Sequence, residues 1–105
     1  MPTTANIERL PVIQRGELVI DPQCYTAVLA GEEIRLFPKE FDTLYLLVQY
    51  PNWVLTIEQI YQHIWKDEPV DCDHIVRNII CQLRRKLGDP KMIQTVVGHG
   101  YKFVG

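Results

Sequence analysis

Three side chains that can read base edges lie close together in the second half of the chain. Arg77, Asn78 and Gln82 fall on one polar side of a predicted helix. Asn and Gln can pair bidentately with adenine, and Arg can do so with guanine. These residue types at this spacing predict contacts with bases in the major groove of duplex DNA.

Positive charge is concentrated around these residues. Residues 74–105 carry six Lys or Arg against one acid, whereas residues 1–73 carry five Lys or Arg against twelve acids. The two regions have net charges of +5 and −7, and the chain as a whole stands at −2. A local positive field attracts a polyanion, although an ordinary solvated helix face would have a similar composition.

The end of the same helix is the most basic segment of the chain. Arg84, Arg85 and Lys86 are consecutive. We expect them to bind phosphates or to complement the helix dipole. Cys81 lies on the predicted DNA-facing side, so its oxidation or alkylation should weaken binding.

Three helices are predicted to position these side chains. The first begins at Pro38 and the second at a capping box from Thr56 to Gln59. The third runs from Asp73 to Leu87, with Gly88 as its stop signal. Apolar stripes at helical spacing mark the buried faces. They comprise Phe41, Leu44, Tyr45 and Val48, then Ile57, Ile60, Tyr61 and Ile64, then Val76, Ile80, Leu83 and Leu87.

Short strands flank the helices. Segments 18–20, 25–30 and 33–36 predict a small antiparallel sheet, and segments 92–97 and 101–104 predict a hairpin. His99, between two glycines, tips this hairpin, and we expect it to lie over the adjacent minor groove or backbone, with Tyr101 and Lys102 at its base. Tyr101 fits the core equally well. Trp53 and Trp65 are expected to pack in the core.

Two helices, a basic third helix and a hairpin define the winged-helix variant of helix-turn-helix, an α+β fold. We predict a tail or linker end at residues 1–9 and one domain at residues 10–105. The three cysteines lack a CxxC pair, which favours buried or inert thiols in a reducing cytoplasm. No signal peptide, membrane span, metal site, cofactor or catalytic constellation is recognisable, so an enzyme is not expected.

Three segments match one known family in order and spacing. Residues 34–66 (IRLFPKEFDTLYLLVQYPNWVLTIEQIYQHIWK), 79–89 (IICQLRRKLGD) and 93–103 (IQTVVGHGYKF) resemble the winged-helix effector domain of OmpR/PhoB-type response regulators. Residues 10–36 also suit that family's N-terminal four-stranded sheet. The resemblance implies sequence-specific duplex DNA binding, transcription regulation and head-to-tail dimers on direct-repeat sites.

The resemblance also implies roles for individual residues. Arg77, Asn78 and Gln82 fall where the family reads bases, and Arg84 falls at a phosphate contact. Thr95 and Tyr101 fall at contacts of the wing, the family's name for the hairpin. The loop from Lys66 to Asp73 corresponds to the family's surface for RNA polymerase. Its candidate contact residues are Lys66, Asp67, Glu68, Val70 and Asp71.

The family further implies a two-component phosphorelay in which a phosphorylated receiver domain regulates DNA binding. No receiver sequence is present in these 105 residues, so we expect either a fragment of a longer regulator or a rare stand-alone regulator. The irregular N-terminal start favours the fragment.

Several positions depart from the family pattern. Phe37 replaces a Thr or Ser, so the first helix should lose its side-chain N-cap. Ile79 stands where His is common, Gln82 where Arg is frequent, and Val97 where the wing usually has Arg. These changes predict modest affinity for DNA and an uncommon operator. They leave open an alternative, a protein-interaction module with weak or no specific DNA binding.

Overall fold

The computed structural model describes residues 11–105, so the tail predicted at residues 1–9 lies outside the described residues. A four-stranded antiparallel sheet in the order β1-β2-β3-β4 comes first. Leu18 and Ile20 are fully buried and pair with Leu29 and Ala27 of the next strand. The sheet thus turns one face to the core. Its strands are β1 (Ile13–Arg15), β2 (Leu18–Asp21), β3 (Thr26–Leu29) and β4 (Glu32–Ile34).

Helix α1 (Pro38–Gln49) starts as predicted at a proline, whose missing N–H costs nothing in the first turn. Phe37 provides no side-chain cap, also as predicted. Instead, Oε1 of Glu40 accepts a hydrogen bond of 2.9 Å from the Phe37 backbone N–H. The whole predicted apolar stripe is buried in the core, from Phe41 to Val48.

The predicted capping box at the start of helix α2 (Ile57–Trp65) is confirmed. The Gln59 N–H donates to Oγ1 of Thr56 at 3.0 Å, and the Thr56 N–H donates back to Oε1 of Gln59 at 2.9 Å. The helix ends where Lys66 adopts a left-handed conformation, with φ of 57°. Its buried side packs against α1 and α3.

Helix α3 (Asp73–Leu87) has the bounds that the sequence predicted, and Gly88 closes it in a left-handed conformation. The buried face of α3 follows the predicted stripe at helical spacing and packs into the core. Its members are Val76, Ile80, Leu83 and Leu87.

The C-terminal hairpin, β6 (Ile93–Val96) and β7 (Gly100–Phe103), belongs to a three-stranded sheet that the sequence did not reveal. Strand β5 (Leu55–Thr56) pairs antiparallel with β7 and gives the order β5-β7-β6. A two-residue strand carries no periodicity, which is why the pattern missed it. β5 leads directly into α2 and thereby ties the hairpin to the helical layer.

The two tryptophans have different environments. Trp65 is half-buried against the core as expected, stacked on Tyr61 with ring centroids 5.0 Å apart. The expectation for Trp53 was wrong, because this side chain is 64% exposed. Trp53 lies in the turn that joins α1 to β5, where the chain passes outside the core, and its ring packs beside that of Tyr50 at 5.6 Å.

Candidate nucleic-acid interface

The exposed face of α3 is one stripe that runs the length of the helix. Its members recur at spacings of three and four residues, opposite the buried stripe, so they share one side. They combine hydrogen-bond donors and acceptors with positive charge and one small thiol. The residues of this face are His74, Arg77, Asn78, Cys81 and Arg85.

Arg77 and Asn78 occupy the middle of the exposed face. Both side chains are exposed, and no hydrogen bond or ion pair within residues 11–105 engages either of them. Their donors and acceptors are therefore free for an external partner, as base readout requires.

Gln82 and Arg85 form a pair on the next turn. Nη2 of Arg85 donates a hydrogen bond to Oε1 of Gln82, which is half-buried. Bidentate pairing of Gln82 with adenine would need that same oxygen. The exposed Arg85 guanidinium keeps its remaining donors toward solvent.

Arg84 does not stand free on the surface as a simple phosphate ligand would. Its Nε and Nη2 donate to the Ile93 carbonyl at 3.1 and 2.9 Å, and Nη2 also donates to Oγ1 of Thr95 at 2.6 Å. The helical period placed Arg84 correctly beside the polar face. It gave no sign of the contact with β6, because those partners lie nine and eleven residues further along the chain.

Lys86 has a partner that the sequence did not predict. The sequence suggested that it binds phosphate or complements the helix dipole, and its place in the last turn suits the dipole. In the free domain its ammonium group also forms an ion pair with Glu40 at 2.7 Å. It also lies 4.4 Å from the centroid of the Phe37 ring. Lys86 thus points toward the start of α1 rather than along the exposed face.

The hairpin lies beside the exposed face of α3. Thr95 and His99 are exposed, Lys102 is half-buried, and Val97 near the tip is 88% exposed. Tyr101 is only 6% exposed, which matches the core reading that the sequence had left open. The hairpin therefore presents a mostly uncharged surface.

A groove of about 410 Å³ separates α3 from the hairpin. Its walls come from the start of α2, the first half of α3 and residues 95–101. Arg77 and His99 contribute basic groups, whereas Glu58 and Asp73 contribute carboxylates. The groove joins the two elements predicted to contact DNA, and its mixed charge makes it less attractive to phosphate than a purely basic cleft.

Gly98 and Gly100 are required for different reasons. Gly98 has φ of 81°, a left-handed conformation in the hairpin turn that favours glycine. A Cβ at Gly100 would lie 2.0 Å from the carbonyl oxygen of Leu55, so the pairing of β7 with β5 depends on the missing side chain. The sequence placed both glycines beside His99 at the hairpin tip; Gly98 lies in the turn, whereas Gly100 begins β7.

The loop between α2 and α3, residues 66–72, is largely exposed. Val70 is 67% exposed, and Asp71 has a positive φ of 52°. Lys66, Asp67 and Glu68 are also exposed, whereas Cys72 at its end is buried. The loop thus offers an acidic surface with one apolar side chain.

The three cysteines lie in different environments. Cys72 is buried, and burial, with the nearby charge of Asp73, raises the pKa of its thiol. Cys24 and Cys81 are exposed, and for Cys81 this agrees with its predicted place on the polar side of α3. A hydrogen bond to Asp21 and its negative charge raise the pKa of the Cys24 thiol.

Within residues 11–105, no cluster of three or more His, Cys, Asp or Glu side chains has a geometry that could hold a metal ion. No helix there has both the length and the apolar character needed to cross a membrane.

A basic helix exposed beside a hairpin, on a scaffold of three helices and two small sheets, defines a winged helix-turn-helix domain. Solved structures agree. The DNA-binding domain of CpxR from E. coli matches with a TM-score of 0.82 and 32% identity, over 90% of this chain and 97% of that one. The RstA DNA-binding domain of Klebsiella pneumoniae, in complex with the RstA box, has a TM-score of 0.79 and 28% identity, over 89% and 96% of the two chains.

Sequence comparison gives the same result. The family model described as "Transcriptional regulatory protein, C terminal" matches residues 31–103. The transcriptional regulatory protein CutR of Streptomyces coelicolor is 36% identical over 92 residues, which cover 88% of this chain and 42% of CutR. The chain belongs to the family of transcriptional regulatory protein C-terminal domains, a family of regulators and not of enzymes. The OmpR/PhoB resemblance is thereby confirmed.

Proposed function

We propose that this domain binds a specific sequence of duplex DNA and thereby regulates transcription. Helix α3 would enter the major groove, and the β6–β7 hairpin would lie on the adjacent minor groove or backbone. One observation carries the proposal: Arg77 and Asn78 stand exposed on α3 with no partner among residues 11–105, and Arg77 lines the groove beside the hairpin.

The residues of the interface divide into two groups. Arg77, Asn78 and Gln82 would contact bases, with Cys81 packed against the base edges between them. Phosphate contacts would come from Arg85 on the helix and from the hairpin. The hairpin contacts proposed here are Thr95, His99 and Lys102.

The charge available for phosphates is smaller than the sequence suggests. Lys86 is paired with Glu40, Arg84 is bonded to β6, and Val97 adds no charge at the hairpin tip. The electrostatic part of the binding free energy should therefore be modest. Specificity would rest more heavily on Arg77 and Asn78.

Selection of binding sites from a random duplex pool, at two salt concentrations, tests the proposal. A recovered motif whose affinity falls with salt supports sequence-specific binding. Salt-sensitive binding without a motif would contradict the specificity. Absence of binding at either salt would contradict the proposal and favour the alternative, a protein-interaction module.

Substitutions on α3 then identify the residues that read the sequence. We expect R77A and N78A each to cost about 1–3 kcal/mol of binding free energy and to relax preference at one operator position. R35A is the matched control, because Arg35 is an exposed arginine between β4 and α1. A uniform loss across all sequences in N78A would mean that Asn78 contacts the backbone only.

At the level of the whole protein, we propose that the domain is the output domain of a two-component response regulator in the cytoplasm. It would dimerise head-to-tail on direct repeats, answer to a receiver domain and contact RNA polymerase through the 66–72 loop. The chain spans 42% of the length of CutR, and the rest of a regulator of that length could hold such a receiver domain. The proposed polymerase contacts are Lys66, Asp67, Glu68, Val70 and Asp71.

The polymerase contact can be separated from DNA binding. V70A and D71A in the longer regulator should lower activated transcription in vitro while leaving operator affinity unchanged. If transcription stays at the wild-type level in both variants, the loop is not the polymerase surface.

A further inference from the structure

The guanidinium of Arg84 bridges the gap between α3 and the hairpin. It makes two hydrogen bonds to the Ile93 carbonyl, at 3.1 and 2.9 Å, and one to the Thr95 hydroxyl at 2.6 Å. Both acceptors belong to β6. The planar fork of arginine can meet two such acceptors at once, which a lysine ammonium on its flexible stem does far less well.

Arg84 also contacts the second strand of the hairpin. Its Cζ lies 5.8 Å from the centroid of the Tyr101 ring, in cation–π contact. Tyr101 is buried and is the cross-strand partner of Thr95 in the β6–β7 register. One side chain of α3 thus holds both members of a cross-strand pair.

We infer that Arg84 is a positioning residue that sets the hairpin against α3, rather than a simple phosphate ligand. The inference rests on the proposed DNA-binding function and deepens it. With Arg84 in place, Thr95, His99 and Lys102 of the hairpin stay at a fixed distance from the base-reading residues of α3. Without the fork, the hairpin would remain paired but lose its fixed angle to the helix.

A phosphate contact and a positioning role predict different responses to lysine. A phosphate ligand needs charge, which lysine retains. A positioning residue needs the fork, which lysine lacks. We therefore expect R84K and R84M to lose affinity for the selected operator alike, by about tenfold, the loss associated with one hydrogen bond of a charged group.

R35K is the control for replacing an arginine by lysine, because Arg35 is exposed and lies outside the proposed interface. It should keep wild-type affinity. Hydrogen exchange of the free domain provides a readout without DNA. Amides of the β6–β7 hairpin should exchange faster in R84K and R84M than in the wild type, and should be unchanged in R35K.

Two results from the variants would overturn the inference. One is R84K with wild-type affinity beside a weakened R84M, because charge alone would then suffice. The other is unchanged protection of the hairpin amides in both variants. Should the variants not fold, the wild type still decides: the Nε–H of Arg84 should exchange slowly in the free domain, and exchange as fast as that of the exposed Arg85 would refute the role.

The exchange measurements also separate this inference from the proposed function. If the wild type binds no duplex, the proposed function fails. The free-domain comparison of wild type with R84K still decides whether Arg84 holds the hairpin.

Discussion

The ammonium nitrogen of Lys86 lies 2.7 Å from Oε1 of Glu40, so an ion pair connects the last turn of α3 to the first turn of α1. The Glu40 side chain is 4% exposed and that of Lys86 is 26% exposed. The same carboxylate oxygen accepts the Phe37 N–H at 2.9 Å. Glu40 therefore satisfies a free N–H at the start of α1, where Phe37 supplies no cap, and neutralises a cation of the basic helix.

Replacing Lys86 by methionine should reduce stability and spare DNA binding. The substitution leaves the buried carboxylate without its cation. Because Lys86 is partly exposed, we expect a loss of about 2 kcal/mol in the free energy of unfolding, below the range for fully buried pairs. Urea unfolding measures this loss, and titration of the selected operator should give wild-type affinity and salt dependence.

E40Q and the double variant E40Q/K86M complete the experiment. The amide oxygen introduced by E40Q can still accept the Phe37 N–H but carries no charge, so the double variant should recover part of the stability lost in K86M. If K86M instead lowers the slope of log affinity against log salt by about one, Lys86 contacts phosphate and the ion pair opens on DNA.

Lys86 and Arg84 illustrate where prediction from the sequence ends. The helical period predicted the buried stripe and the exposed face of α3, and the stop signal at Gly88 predicted its end, because these depend on local sequence. It could not predict that Lys86 meets Glu40, 46 residues away, or that Arg84 reaches β6. Both partners are set by tertiary packing, so two of the basic residues that seemed free are engaged within the domain.

Trp53 and β5 are two further features that the sequence pattern could not predict. A large aromatic residue is usually buried, but Trp53 lies in a turn that the core does not reach. β5 is a strand because β7 pairs with it, and neither its length nor its composition predicts a strand. The motif residues Gly98 and Gly100 gave the position of the hairpin but not its third strand.

Alanine at Gly100 should be more damaging than alanine at Gly98. A Cβ at Gly100 would overlap the Leu55 carbonyl, so β5 and β7 must separate, at a cost of about 3 kcal/mol, the upper end for overpacking. Apart from Gly98 and its two chain neighbours, no atom of residues 11–105 lies within 4 Å of a Cβ at Gly98, so G98A costs only the strain of the left-handed backbone, about 1–2 kcal/mol. Urea unfolding of both variants should give this order. The reverse order would mean that β5 pairing contributes little to stability.

Stability should fall at high pH through Tyr25. The hydrogen bond from its hydroxyl to Asp42 is the main cause that raises its pKa from 10.0 to about 12, with burial and the Asp42 charge adding to it. A group whose pKa is raised on folding stabilises the fold below its unfolded pKa and loses that contribution as the pH rises toward the folded value. The loss should therefore occur between pH 10 and about 12.

Y25F is the matched variant for this pH dependence, because it keeps the ring stacked on Phe41 at 4.3 Å and removes the hydroxyl. The urea concentrations at the unfolding midpoints of wild type and Y25F should converge as the pH rises above 10. Burial also raises the pKa of Tyr45, which is present in both proteins, so only their difference is diagnostic. A difference that stays constant with pH would show that the Tyr25 hydroxyl does not couple to folding.

Alkylation of Cys81 should weaken operator binding. Cys81 is exposed at the centre of the α3 face, whereas Cys72 is buried with a raised thiol pKa and should resist the reagent in the folded domain. Treatment with iodoacetamide adds an amide group beside Asn78 and Arg85, where base edges would lie.

Mass spectrometry identifies the modified thiols, and bound operator should protect Cys81 from the reagent. The treated C81S variant, in which Cys24 still reacts, should keep the affinity of untreated C81S. Wild-type protein fully alkylated at Cys81 that binds the operator as tightly as before would show that this part of α3 does not contact the bases.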